Sequence, residues 1–362
     1  MPDNISKKID VNALLFCPKN EEDKTDLSEY QIDYKNIFTS GTIITNISHI
    51  ILDTVGFAIY NNRMFSLFKY CKIVQYLDKL KKQNDFPEII ELEWTNFVYY
   101  ASKLHDRYPN VKIIASEHDV NFQSLIRKNM GSKRLEKLKE QEINALNCCN
   151  KILVQSNKDK VLLTEEGISE EKILVISPYY HNMSDIVRNS NKKDILFWGA
   201  MYRPENYKAA IWFIKNVMPL LSSEDVRFVV AGNKPPEELK KLENDKVIVT
   251  GFVEDERELF EKSMCFVSPL LTGAGIKVKI IEAFSAGIPI LTNSIGIEGI
   301  PATNKYNYIH CETAKQYADA IKKIQNGEIK EQRLLKNQKE FMKNHFDLDT
   351  ALNEYVEMIK TL

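Results

Sequence analysis

Short apolar runs alternate with amphipathic stretches along the chain, most regularly in its C-terminal half. Each run is followed by a stretch with apolar residues at helical spacing, which is typical of βαβ units around a parallel sheet. The predicted strands here are 195–199, 227–231, 247–250, 264–268, 288–292 and 308–310, and the predicted helices are 207–220, 236–242, 256–262, 277–286 and 314–324. We therefore predict a Rossmann-like domain over residues 192–345.

The N-terminal half shows the same pattern in a looser form. A long helix is predicted over 132–149, and strands are predicted at 13–17, 88–92, 112–116, 152–155 and 173–176. Residues 177–191 are polar and rich in turn formers, so we place the linker there. The sequence thus predicts an α/β protein of two Rossmann-like domains, 1–185 and 192–345, facing each other across a cleft. Residues 346–362 are predicted to be helical, and packing back on the N-terminal domain is one option.

Composition and charge narrow the classes of protein. A chain of 362 residues has room for two domains, and a net charge of -1 argues against a dedicated nucleic-acid binder. The first twenty residues lack the apolar core of a secretory signal, and the six cysteines have no CxxC spacing, so we expect reduced thiols in a cytoplasmic protein. The apolar stretch 41–59 is not expected to span a membrane because polar residues interrupt it, namely Asn46, Ser48, His49, Asp53 and Thr54.

The segment 268–283 carries the strongest candidate chemistry. A predicted strand ends, a loop with Gly273 and Gly275 follows, and a helix begins; exposed amides at such a helix start attract anions. Lys277 and Lys279 lie in the first turn, where cations oppose the helix dipole, and a bound diphosphate would compensate. Glu282 follows on the same face and suits two ribose hydroxyls. An ordinary strand–turn–helix with solvated side chains explains this segment alone equally well.

Further segments occur with it in an order and spacing that resemble a known family. They are 197–206, 212–213, 218–221, 230–232, 249–253 and 289–299. Together they resemble the retaining glycosyltransferases of family four, which have the GT-B fold. The resemblance covers about residues 112–345 and is strongest over 194–300. It implies metal-independent transfer without a cofactor, from a donor such as a UDP-sugar or GDP-sugar to a glycan, lipid-linked or protein acceptor, in cell-surface polysaccharide or glycoconjugate synthesis.

The resemblance also implies roles for particular residues. Glu282 matches the second glutamate of a carboxylate–seven residues–carboxylate motif and would hold the ribose. Arg203, with Lys277 or Lys279, would bind the diphosphate, and Lys277 would also assist catalysis by stabilising the leaving group. Gly199 belongs to the donor site through the segment that it shares with Arg203. The base would be framed by Gly251, Phe252 and Val253, and the loop amides would come from Gly273, Ala274, Gly275 and Ile276.

Two features depart from the family pattern. The first glutamate of the motif would fall at position 274, where this chain has Ala274. The family's first domain also opens with a strand and a glycine-rich turn, whereas the first glycine here is Gly41, so the opening βα unit is either missing or diverged. These departures motivate an alternative, a catalytically impaired sugar-nucleotide-binding or partner subunit. An epimerase or phosphorylase of the same fold has less support, because no lysine-anchored pyridoxal phosphate motif is found.

The acceptor side is predicted from two strand ends. His118 and Asp119 follow the strand 112–116. The resemblance implies that His118 lies near the donor sugar as a catalytic residue, and Asp119 could fix its tautomer; alternatively, Asp119 caps the next helix. Glu91 and Glu93 either touch acceptor hydroxyls or line a solvated edge.

Two basic amphipathic stretches bear on membrane contact. Residues 69–82 and 127–139 could lie peripherally against the anionic inner face of a membrane that presents a lipid-linked acceptor. Solvated helix faces are the favoured explanation. The sequence leaves the sugar, the base, the acceptor and the oligomeric state open.

Overall fold

The computed structural model describes residues 8–25, 27, 32–127, 132–188 and 193–362. The chain divides into two compact units. Unit 1 contains the residues up to Ile176 together with Leu348–Leu362, and unit 2 is Ser177–Asp347. The C-terminal helix therefore belongs to unit 1.

Residues 177–185, which the sequence assigned to the N-terminal domain, belong to unit 2. Tyr180 donates its hydroxyl to the Phe346 carbonyl at 2.9 Å, and the Met183 amide donates to Ser285 Oγ at 3.0 Å. Arg188 forms an ion pair with Glu331 at 2.5 Å. This segment looks like a linker in sequence because it is polar, but its polar groups bond to unit 2.

The described residues of unit 1 form two parallel sheets. Strands β1 (Asn12–Pro18) and β2 (Asp33–Ser40) form one, and β3 (Ile89–Glu93), β4 (Lys112–Glu117), β5 (Lys151–Val154) and β6 (Ile173–Val175) form the other in this order. The helices are α1 (Ile43–Tyr60), α2 (Leu67–Lys82), α3 (Thr95–Val98), α4 (Ala101–Arg107), α5 (Asn121–Arg127), α6 (Ser132–Asn147), α7 (Asn157–Glu165) and, at the C-terminus, α14 (Leu348–Lys360). The five strands predicted in this half are confirmed, and β2 was not predicted.

The core of unit 1 lies around the four-stranded sheet. Leu104, Ile113 and Ile152 are fully or almost fully buried there, with the rings of Tyr100 and Phe122. By contrast, β2 contains no fully buried residue. Because β2 lacks an apolar pattern, the sequence did not predict this strand.

Unit 2 is built on one six-stranded parallel sheet. Its strands are β7 (Asp194–Trp198), β8 (Arg227–Ala231), β9 (Val247–Gly251), β10 (Ser263–Ser268), β11 (Ile290–Thr292) and β12 (Ile309–His310), in the order β12-β11-β10-β7-β8-β9. The helices are α8 (Pro204–Asn216), α9 (Glu237–Lys240), α10 (Arg257–Lys262), α11 (Val278–Ser285), α12 (Ala314–Gln325) and α13 (Glu331–His345). The predicted Rossmann-like α/β architecture is confirmed in this unit.

Candidate functional site

The strand order of unit 2 reverses between β7 and β10. These strands are parallel neighbours, with Leu196 opposite Phe266, while the chain continues from β7 towards one edge of the sheet and from β10 towards the other. Ligands of open α/β sheets bind beyond the carboxyl ends of the strands at such a reversal. The loops after Trp198 and Ser268 therefore meet at the expected ligand edge, and they carry the predicted donor residues.

Lys279 is the cation at this edge whose position is fixed by the most side-chain contacts given below. Its ammonium group donates to Asn206 Oδ1 at 2.5 Å and lies 4.7 Å from the centroid of the Phe197 ring. A Cβ placed on Gly199 would lie 3.3 Å from the Lys279 Nζ atom, so the ammonium group reaches the backbone after β7. Asn206, which was not predicted, also donates to the Ala200 carbonyl at 3.0 Å and so connects Lys279 to that loop.

Burial, reinforced by the charges of Lys277 and Arg203, lowers the pKa of Lys279 to about 7, although Glu205 and Glu282 oppose the shift. An anion beside the ammonium group would favour its protonated form. The site is therefore suited to a negatively charged ligand.

Lys277 supports the loop between β10 and α11. It occupies the N-cap position of α11, and its ammonium group donates to the Gly275 carbonyl at 2.5 Å. The Lys277 Nζ atom also lies 3.8 Å from a carboxylate oxygen of Glu298. A Cβ on Gly273 would lie 3.1 Å from Lys277 Cε, so the lysine stem packs over the loop. Within this loop Ala274 is partly exposed and Ile276 is buried.

Three glycines lie at the carboxyl ends of adjacent strands, at the same edge of the sheet. Gly199, Gly232 and Gly251 follow or end β7, β8 and β9, with φ angles of 156°, 142° and 71°. A Cβ on Gly232 would lie 1.7 Å from the Gly199 carbonyl oxygen, which excludes any side chain there. Gly232 was not among the predicted site residues, although it belongs to the segment 230–232, which contributed to the family resemblance. The result is an edge of bare backbone that a ligand can approach closely.

Glu282 lies on α11, one turn beyond Lys279. Its carboxylate accepts a long hydrogen bond of 3.4 Å from the His181 amide, and the His181 ring pairs with Glu256 at 2.9 Å. Burial raises the pKa of Glu282, and the bonds from His181 and the Trp198 side chain act in the opposite direction. His181 was not predicted as a neighbour of the carboxylate because its segment looked like a linker.

Exposed groups surround this edge. Phe252, directly after β9, is 72% exposed, and Val253 is partly buried. Arg203 is the exposed N-cap residue of α8, with its guanidinium 5.9 Å from the centroid of the Tyr202 ring. An exposed aromatic ring and an exposed cation at one edge of the sheet can accommodate a ring and an anionic group.

A different concave region of unit 2 contains none of the predicted residues. It is a cavity of about 550 Å³ beside β12, α12 and α13. Lys305, Lys323 and Arg333 line it.

In unit 1, His118 follows β4 and bonds through both ring nitrogens. Its Nε2 atom is 2.8 Å from Glu93 Oε2, and Gln155 Nε2 lies 3.1 Å from its Nδ1 atom. If the Gln155 amide donates, Nε2 carries the proton that Glu93 accepts. The prediction that Asp119 fixes the tautomer is therefore wrong, because Glu93 and Gln155 do so. Glu93, which is exposed, was predicted either to contact the acceptor hydroxyls or to line a solvated edge.

Trp94 completes this cluster. Its ring stacks on His118, with 4.1 Å between centroids and 13° between planes, and the residue is 56% exposed. Its φ angle of 74° lies in the left-handed region, which is strained for an aromatic residue. Trp94 was not predicted as a site residue, because a single tryptophan after a strand forms no recognisable sequence pattern.

Neighbouring carboxyls in unit 1 have structural roles. Glu142 accepts from the amides of Asn121 and Phe122 at 2.8 and 3.0 Å, so it satisfies the amides at the start of α5 that Asp119 was proposed to cap. Burial raises the pKa of Glu142 to about 7. Glu91 accepts a short hydrogen bond from Tyr355 of α14, and burial, reinforced by Glu93, raises its pKa to about 7.

Comparisons with known proteins agree with this architecture. Residues 192–326 match the family model described as glycosyl transferases group 1. An uncharacterized 44.6 kDa protein in the cps region of Klebsiella pneumoniae is 30% identical over 170 residues. The match covers 41% of this chain and 43% of that protein, less than half of the length of each.

Solved structures resemble the chain over nearly its whole length. HepE from Anabaena, in complex with UDP and glucose, has a TM-score of 0.71 at 12% identity, over 98% of this chain and 100% of that one. A glycosyltransferase from Rickettsia africae ESF-5 has a TM-score of 0.66 at 16% identity, over 97% and 98%. The chain therefore has the GT-B fold, and its residues 192–326 are similar to the glycosyl transferases group 1 family.

Proposed function

We propose that the protein is a retaining, metal-independent glycosyltransferase. It moves a sugar from a nucleotide-diphosphate sugar to a glycan, lipid-linked or protein acceptor. The observation that carries the proposal is the position of Lys279, beside the Gly199 backbone at the reversal of strand order in unit 2. HepE, which shares the fold, was solved with UDP and glucose, so a UDP-sugar is the first donor to test.

The donor is assigned along the edge of the sheet. The diphosphate lies against the amides of 273–276 and the Lys279 ammonium group, and Glu282 accepts hydrogen bonds from the ribose hydroxyls. Phe252 offers its exposed face to the base. This assignment is supported by the shared edge of β7, β9 and β10 and by anion binding at helix N-termini.

The transfer step uses charge stabilisation. The acceptor oxygen attacks the anomeric carbon from the face that the diphosphate leaves, the bond between that carbon and the phosphate oxygen breaks, and the acceptor proton passes to the leaving diphosphate. Arg203, Lys277 and Lys279 balance the charge that develops on the phosphate, so no metal or other cofactor is invoked. His118, oriented by Glu93 and Gln155, positions the sugar or the acceptor.

The biological setting belongs to the same proposal. The Klebsiella pneumoniae relative is described as lying in a cps region, which supports a role in cell-surface polysaccharide or glycoconjugate synthesis. The protein would bind the nucleotide sugars for such a reaction on the cytoplasmic side of the membrane.

Thermal unfolding with UDP-, GDP- and ADP-sugars tests the donor site. A ligand at 100 times its dissociation constant adds about 2.7 kcal/mol to the stability of the protein, and we expect a UDP-sugar to do so. Glu282→Ala should remove most of this stabilisation, because the ribose loses its acceptor. Glu258→Ala is the matched control, since Glu258 is an exposed glutamate of unit 2 paired with Lys262. Equal stabilisation of the two variants would contradict the assignment.

Ala274 favours a second candidate, a subunit that binds the donor without transferring it. Release of nucleoside diphosphate from the stabilising donor, with extracted lipid-linked glycans as acceptors, separates the two. An enzyme releases it, and Glu282→Ala lowers the rate. A binding subunit is stabilised by the donor but releases none.

A further inference from the structure

Helix α1 (Ile43–Tyr60) turns most of its apolar side chains away from the rest of unit 1. Ile43, Ile44 and Ile50 are 78%, 79% and 67% exposed. Other apolar residues of the helix are also at least partly open to solvent, namely Ile47, Ile51, Val55, Phe57 and Ile59, and Gly56 is its buried residue. Contiguous exposed apolar surface of this extent marks an interaction site.

Two polar residues of α1, His49 and Asp53, lie on the side of the helix that faces the rest of unit 1. His49 pairs through Nδ1 with the Thr39 carbonyl at 2.9 Å, and Asp53 accepts from Ser66 Oγ at 2.8 Å and from the Phe68 amide at 3.0 Å. A soluble helix normally buries its apolar stripe and exposes its polar one. In α1 the bonds of His49 and Asp53 hold the opposite orientation, so the apolar face of the helix points outward.

Basic groups frame this face. Within 43–60, Asp53 is the sole residue among Asp, Glu, Lys and Arg, and it is bonded inward. Lys19 packs at the N-terminal end, where a Cβ on Gly41 would lie 2.5 Å from its own Cβ. Arg63 lies at the other end, 5.4 Å from the centroid of the Phe57 ring.

The neighbouring helix α2 adds further positive charge. It carries five lysines, and its one acid, Asp78, pairs with Arg107 at 2.7 Å. An apolar stripe flanked by cations complements a bilayer, whose acyl boundary takes the apolar side chains and whose anionic headgroups take the basic ones.

We propose that α1 docks unit 1 onto the surface of an anionic lipid bilayer, lying in the plane of the interface with its isoleucines in the acyl boundary. By length and composition alone α1 could also span a membrane, since its mean hydropathy is 1.4 over 18 residues. A span would leave His49 and Asp53 in hydrocarbon without their partners in unit 1, at a large cost. The docked orientation keeps every one of these bonds.

The test is sedimentation of the full chain with phosphatidylcholine vesicles that contain or lack phosphatidylglycerol. We expect binding about tenfold tighter with phosphatidylglycerol. The triple variant Ile44→Ser, Ile47→Ser, Ile51→Ser should lose about tenfold or more in affinity. The variant Val161→Ser, Val187→Ser, Leu220→Ser, which exchanges exposed apolar residues elsewhere, should bind like the wild type. Because all these residues are exposed, both variants should keep the wild-type circular dichroism.

Lys19→Gln with Arg63→Gln should reduce the preference for phosphatidylglycerol and keep the residual binding to neutral vesicles. The proposal is overturned if the wild type does not bind vesicles, or if the triple isoleucine variant binds as well as the wild type. A dimer in solution that this variant abolishes, with no vesicle binding, would assign the face to a second copy. Resistance to alkaline carbonate extraction would assign α1 as a span.

Discussion

Lys279 shows how one side chain can be prepared for a charged ligand. Its ammonium group lies among Asn206, the Phe197 ring and the Gly199 backbone, and burial lowers its pKa to about 7. At pH 8 most molecules of the free protein therefore hold Lys279 neutral. A diphosphate beside it raises its pKa again, so the ligand and a proton should bind together.

We predict that UDP binding at pH 8 takes up close to one proton and that the affinity falls as the pH rises above 7. Titration calorimetry in two buffers of different ionisation enthalpy measures the uptake. Lys279→Met should abolish it and weaken binding, whereas Lys215→Met, which exchanges an exposed lysine of α8, should leave both unchanged. Proton uptake that persists in Lys279→Met would assign the proton to another group.

The sequence predicted the roles of residues only where those residues are close together in the chain. Lys277, Lys279 and Glu282 stand close together in one segment, and their relation to the helix start was visible. Glu93, His118 and Gln155 come from three separate strand ends, and a sequence cannot show which carboxylate meets which ring nitrogen. Asp119 was predicted as the partner of His118 because it is the next residue in the sequence. In the structure, the carboxylate that bonds to His118 is that of Glu93.

The turn after β3 illustrates strain at the level of an element. Trp94 sits at a φ angle of 74°, where a residue with a Cβ is disfavoured by about 1–2 kcal/mol. Its ring stacks on His118 and leaves one side exposed. Strain of this kind persists where the surroundings impose it and often accompanies function. An exposed tryptophan beside a histidine–carboxylate pair suits a sugar ring of the acceptor.

We predict that Trp94→Gly is more stable than Trp94→Ala by about 1 kcal/mol, because glycine accepts the positive φ angle and alanine does not. Both variants lose the stack, so both should raise KM for the acceptor, while Trp94→Phe should retain most of the activity. Urea unfolding and acceptor titrations measure the two effects. An acceptor KM that stays unchanged in both variants would leave Trp94 with a structural role alone.

Elements with a clear apolar period were predictable, and those without one were not. The strands β7, β8 and β10 lie in buried apolar runs, and their positions agree with the prediction to within a residue. Strand β2 lacks such a run. Helix α1 has the composition of a buried helix, but its His49 and Asp53 bond to the rest of unit 1 and its isoleucines are exposed. The sequence pattern alone cannot distinguish this orientation from a buried one.

For the whole molecule, the two units differ in what sets their stability. Each has its own core cluster. In unit 1, burial raises the pKa of Glu91 and Glu142 to about 7 from 4.5. The folded state then holds protons that the unfolded state releases above about pH 4.5. Stability from these groups is fully present below that pH and is lost as the pH rises through 7.

We therefore predict two calorimetric transitions that respond to different variables. Raising the pH from 5 to 8 should lower the transition of unit 1, and Glu91→Gln should reduce that dependence because the amide cannot ionise. UDP should raise the transition of unit 2, because the proposed donor residues all lie in it, and Glu282→Ala should remove the shift. Limited proteolysis during heating assigns the transitions to the units. A single transition that moves with both pH and UDP would show that the units unfold together, because ligand binding to one would then stabilise the other.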